Sequence, residues 1–215
     1  MKLFTLIIGT MLAFSLCLKA ENGYQEAMKK GIAELENADS PEAMNRSANF
    51  FERIAATESN QWLPAYYAAY ARINLGAMEG SDEQLDLAQA HLDKIAAQEH
   101  EKSEVVALQG YLYTIRVALD PANRGPQLAP QAIQTLSEAV QMNPKNPRAL
   151  MLLAQMQYGT AQFFKSDTQE ACQMVDQAVL LFEKTQPSDA LWPNWGKNTA
   201  ENIQQQCANT DAHKK

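Results

Sequence analysis

A pattern of small and large residues returns four times along this chain, and it constrains the fold more than any other feature. Ser47, Ala88, Ala132 and Ala171 form one row, and Phe51, Leu92, Leu136 and Val175 form a second. Ile54, Ile95, Ala139 and Ala178 form a third, and each row is spaced by 41, 44 and 39 residues. Steps of one helical turn within each unit put its three positions on one face of a helix. A small residue lets two helices approach closely, a larger one a turn later fills the space between hairpins, and the third closes the face. The clearest copy lies in Ala132–Ala154, AIQTLSEAVQMNPKNPRALMLLA. One helix there ends at Asn143–Pro144, Asn146–Pro147 restarts the chain, and a second apolar helix runs from Arg148.

Alanine, leucine, glutamine and glutamate dominate while valine and isoleucine are sparse, which favours helix over strand and gives an all-α prior. Amphipathic spacing predicts helices over 21–37, 41–57, 62–75, 82–98 and 104–119. Ser40 serves as an N-cap and Pro41 as a first helical residue. The segment DPANRGPQLAP, 120–130, holds three prolines and a glycine and reads as the longest loop. Two helices in Ala132–Ala154 and its continuation follow, then one over 169–185. An extended connection, 186–194, leads to a last helix over 195–207. Trp192, Pro193 and Trp195 are expected to fasten that helix to the last hairpin as a cap, with ligand stacking as the sharper alternative. The domain reading is a signal peptide over 1–20, a helical-repeat domain over 21–208 and a flexible polar tail over 209–215.

The small–large–small rows, with Pro144 at a unit boundary, resemble the tetratricopeptide repeat. Its unit is about 34 residues, so these units are longer than that norm. In its first-helix signature only Gly110 with Tyr113 is well matched, and Trp62 does not fall where that signature places its tryptophan. The resemblance covers 24–185 and implies an α-solenoid of about four helical hairpins plus a C-terminal capping helix. The closing segment PNWGK, 193–197, and a terminal cysteine are similar to small exported repeat proteins of the Bacteroidetes group.

Residues 1–20, MKLFTLIIGTMLAFSLCLKA, carry a charged start at Lys2, an apolar run and a small residue at Ala20, the pattern of an export signal cleaved after Ala20. The apolar run is shorter than the roughly 20 residues of a spanning helix. Cys17 raises a lipoprotein reading, against which Leu16 is larger than such signals use. Periplasmic or secreted placement follows, without membrane insertion after cleavage. Cleavage removes Lys2 and Lys19, leaving 16 basic residues against 25 acidic, a net of −9. A chain this acidic and without a basic stripe repels phosphate backbones, so nucleic acid is not an expected partner. Cys172 and Cys207 then remain, a candidate disulfide in an oxidising compartment, with one buried and one loose thiol as the competing reading.

Catalytic signals are weak. His91, His100 and His213 fit no zinc spacing, and there is no glycine-rich phosphate loop or nucleophile elbow. The expectation is no enzyme, no metal and no cofactor. Aligned first helices put Tyr70, Tyr111 and Gln155 at equivalent places, with Ile73, Thr114 and Tyr158 one turn on. In the resembled family that side lines a concave groove, so Tyr70, Tyr111, Thr114, Gln155 and Tyr158 become candidate binding residues. Burial of the tyrosines between hairpins is the competing reading. The leading functional expectation is a non-catalytic scaffold or adaptor holding partner protein segments in that groove. The alternative is a small-ligand or glycan binder with an aromatic groove.

Overall fold

A computed structural model describes residues 23–96, 102–185 and 189–212, and the described residues form helices and no strand. These are α1 (23–36), α2 (Pro41–Thr57), α3 (Trp62–Glu79), α4 (Asp82–Ala96) and α5 (Lys102–Leu119). Then come α6 (Pro121–Met142), α7 (Pro147–Phe163), α8 (Gln169–Lys184) and α9 (Lys197–Ala212). The expected leader with Cys17, and also His100 and His213, lie outside the described residues. No helix among the described residues is long and apolar enough to cross a membrane.

Cap chemistry sets several boundaries. Ser40 Oγ accepts from the Ala43 N–H at 3.2 Å, with Pro41 in the first turn where its missing donor costs nothing. Asn146 Oδ1 accepts from the N–H groups of Arg148 and Ala149 at 3.0 and 3.2 Å. Its Nδ2 donates to Ser103 Oγ at 3.0 Å, and Ser103 donates in turn to the Ala139 carbonyl at 2.9 Å. The Asn–Pro junction is thereby tied to α5 and α6 as well as capping α7.

The segment 120–130 departs from expectation, forming the first turns of α6 instead of a loop. Asp120 accepts from the Asn123 N–H at 3.3 Å and Pro121 takes the first helical position. Pro126 and Pro130 sit inside the helix, where each removes a backbone donor. Packing of this long helix on α5 outweighs that local loss.

Sequential helices pack as antiparallel neighbours, and α3, α5, α7 and α9 also pack on one another in turn. The first helices of the hairpins thus make an inner row, with α2, α4, α6 and α8 outside it, an α-solenoid-like stack. The repeat rows form the seams: Ala88, Ala132, Leu136, Val175, Ala139 and Ala178 are fully buried, and only Ile54 remains partly exposed. Gly110 marks the tightest approach, since a Cβ there would lie 2.5 Å from the Leu136 side chain. A disulfide joins Cys172 on α8 to Cys207 on α9.

One irregular segment crosses the inner row. Residues 189–196, termed the strap, run from α8 toward α9 without regular structure. The Leu191 carbonyl accepts from the Tyr67 hydroxyl at 3.0 Å, and Asn194 Nδ2 donates to Glu36 Oε1 at 2.7 Å. Trp195 Nε1–H donates to the Tyr66 hydroxyl at 3.1 Å. Gly196 ends the strap with φ +102°, a conformation that favours glycine, and a Cβ there would also crowd Met151 and Phe182. Beneath lies a buried ion pair, Arg148 with Glu104 at 2.6 and 2.8 Å, which the Tyr66 hydroxyl joins at 3.4 Å. Bidentate geometry offsets the desolvation of both charges.

Candidate functional site

The strap decides the fate of the expected groove. Tyr70 and Tyr111 do stand together on α3 and α5, their ring centroids 6.4 Å apart, but Trp195 stacks on both, at 4.5 and 6.0 Å. The Tyr111 hydroxyl donates to Asn74 Oδ1 at 3.1 Å, and burial pushes the Tyr70 hydroxyl up to about 12. Thr114 is buried and donates to the Gly110 carbonyl at 3.0 Å. Tyr158 is buried against Ala154, Val175 and Ile203, and Gln155 is half-buried on α7. Of these five residues, Tyr70 and Tyr111 are covered by the strap, Thr114 and Tyr158 belong to the core, and Gln155 stays half-buried. Trp192 and Trp195 reach α3 and α5 rather than only fastening α9 to the last hairpin.

An open cleft lies elsewhere, at one end of the stack. Glu52, Ala55 and Ala56 of α2, Ser59 and Gln61 of the following turn, Trp62 and Ala65 of α3, and His91, Lys94 and Ile95 of α4 enclose about 470 Å³. That volume is in the range of small-molecule sites. Short alanines at 55, 56 and 65 leave the space, Ile95 adds an apolar side, and Trp62 supplies a flat wall.

Polar groups at this end are strongly ordered. Arg72, buried on α3, uses all five of its N–H donors: two on the Glu52 carboxylate at 2.8 and 2.9 Å, and one each on Asn45, Gln84 and Asn49. Glu52 Oε1 also lies 3.1 Å from His91 Nε2. Burial pushes the Glu52 carboxyl up, but the Arg72 and His91 contacts outweigh it and hold the group below its ordinary value. Burial lowers His91 more than Glu52 raises it, so the ring is neutral at pH 7. The network then assigns the proton to Nε2, which donates to Glu52, and leaves Nδ1 buried with no hydrogen-bond partner. With Glu52 balanced by Arg72, Lys94 contributes a positive charge that pairs with no carboxylate among the described residues. Among the described residues no group of three or more His, Cys, Asp or Glu side chains is arranged to hold a metal ion.

Sequence reasoning did not single out this cleft. Its members come from three consecutive helices and lie up to 43 residues apart, Glu52 to Ile95, and the one visible signal was Trp62, a tryptophan off the position that the repeat signature uses.

No protein-family model matches the chain, and no curated protein matches it. Among solved structures it is similar to the HusA haemophore from Porphyromonas gingivalis, with a TM-score of 0.78 and 29% identity over 86% of this chain and 92% of that one. The helical fold thus resembles that of a haemophore, while no family model supports the narrower tetratricopeptide assignment. This likeness overturns the expectation of a scaffold gripping partner protein segments, and favours the small-ligand alternative. The physical reason is visible in the groove such a scaffold would use, which the chain fills with its own strap.

Proposed function

We propose that this chain is an exported, non-catalytic carrier of a haem-class tetrapyrrole, held in the Trp62 cleft. The observation that carries this reading is the likeness to the HusA haemophore along nearly the whole of both chains. The cleft suits such a ligand: an indole face can stack on a planar macrocycle, the alanines and Ile95 accept its apolar edge, and Lys94 can meet a carboxylate. A glycan fits less well, because Glu52 is engaged by both Arg72 and His91 and His91 Nδ1 is buried, so neither side chain is open to sugar hydroxyls.

Among the described residues that line the cleft His91 is the one histidine, and it offers no accessible nitrogen. Nε2 is engaged by Glu52 and Nδ1 is buried, so ligation of an iron requires the ring to leave its network. Recognition therefore rests on the macrocycle, and metal-free protoporphyrin IX is expected to bind within a few-fold of haemin.

Titration of the mature protein with both compounds, followed by absorbance and tryptophan quenching, tests this reading. The expected result is saturable 1:1 binding that Trp62→Ala weakens roughly tenfold, the loss of one stacked aromatic contact. Absence of saturable binding sinks the proposal, and binding indifferent to Trp62→Ala moves the site elsewhere.

A further inference from the structure

The cleft wall is shared with the strap. Trp62 is the first residue of α3, and its N-cap, Gln61, makes no side-chain capping bond. An uncapped first turn frays easily, and fraying here would move the indole that walls the cleft. Among the described residues, aromatic rings on either hand brace it. Tyr66 meets the Trp62 ring edge-on at 5.4 Å and 79°, and Trp192 of the strap meets it at 5.7 Å and 76°.

Trp192 is itself held from both sides. Its N–H donates to the Asp189 carbonyl at 3.0 Å, and the Leu191 N–H donates to Asp189 Oδ1 at 3.0 Å, which fixes a tight turn. The neighbouring Leu191 carbonyl is anchored by Tyr67, and Trp195 by Tyr66. A docked strap thus delivers Trp192 to one place on Trp62.

We infer that Trp192 is a positioning residue for the cleft, and that ligand binding at Trp62 is coupled to docking of the strap. The inference rests on the tetrapyrrole reading of that cleft. Strap docking favours the indole pose that the ligand uses, and by reciprocity the ligand favours the docked strap. The C-terminal segment, whose Trp192 lies 130 residues after Trp62, then tunes affinity without touching the ligand.

The test uses protoporphyrin IX with the full mature chain, Trp192→Ala, Trp192→Phe and Asn194→Ala, each checked for native helicity and melting temperature. Trp192→Ala should raise Kd roughly fivefold, as expected for loss of one edge-to-face contact, while Trp192→Phe recovers most of the affinity. Asn194→Ala removes one exposed contact to Glu36 and leaves the Tyr67 and Tyr66 anchors of the strap in place, so it should stay within about twofold. In the unsubstituted protein, ligand should slow amide exchange over 189–196. A Kd unchanged in Trp192→Ala, no recovery in Trp192→Phe, or strap exchange indifferent to ligand would each overturn the inference while leaving the tetrapyrrole reading intact. Failure of the unsubstituted protein to bind would overturn both.

Discussion

His91 and Glu52 make the stability of this protein depend on pH in a definite direction. Burial outweighs the Glu52 contact and lowers the His91 pKa, so below its ordinary value of about 6.5 the unfolded chain binds more protons than the folded one. The stability linked to His91 is therefore fully present above about pH 6.5 and is lost as pH falls through the folded value. Glu52 acts in the same sense at lower pH: its depressed carboxyl stabilises the fold above about pH 4.5 and ceases to do so as pH drops through the folded value. The melting temperature should thus fall in two stages on acidification. His91→Gln keeps a donor for Glu52 and removes the titrating ring, so it should flatten the first stage, between pH 7 and 5. Circular dichroism melts across that range check this; equal slopes in both proteins would rule it out.

At the scale of elements, the same substitution should have opposite signs at two helical glycines. Gly110→Ala in α5 places a methyl 2.5 Å from Leu136 of α6, and the overpacking should cost about 1–3 kcal/mol net of the gain in helix propensity. Gly159→Ala in α7 meets nothing within 4 Å and should stabilise by up to about 1 kcal/mol. Urea unfolding midpoints separate the two. Seams of this kind were legible in the sequence, because a small residue followed a turn later by a large one is a direct imprint of close helix approach. Ser40–Pro41 and Asn146–Pro147 were legible for the same reason, as local cap chemistry. The start of α6 was not, although Asp120–Pro121 is also a cap. Pro126, Pro130 and Gly125 weigh toward a loop, and the contacts with α5 that override them lie outside the segment. The candidate site was less legible than the fold. Alignment of first helices put Tyr70 and Tyr111 at equivalent places, and the two rings do lie side by side, but nothing local to them announces that Trp195 covers both. The cleft depends on alanines that leave room, and an absence of side-chain volume has no periodicity.

At the scale of the whole molecule, the disulfide and the strap act together. Cys172–Cys207 encloses the strap and closes a loop with a sequence separation of 35. Replacing both cysteines by serine should lower stability by about 4 kcal/mol through the unfolded chain, measured by urea denaturation of the non-reduced proteins. A loss below about 1 kcal/mol would show that the α8–α9 contacts suffice without the bond. An ordinary solenoid passes interactions only from each unit to the next, so its hairpins can form in sequence as the chain emerges. The strap breaks that locality: Tyr67 pairs with Leu191 across 124 residues, Trp195 with Tyr66 across 129, and Asn194 with Glu36 across 158. At about 5–20 residues per second, Tyr67 is made roughly 6–25 seconds before the strap that covers it. Until the strap docks, Tyr70 and Tyr111 lack the ring that covers them, and transiently exposed apolar surface of this kind favours aggregation. Truncation before residue 189 would remove that cover for good, leaving Tyr66, Tyr67, Tyr70 and Tyr111 without the strap contacts.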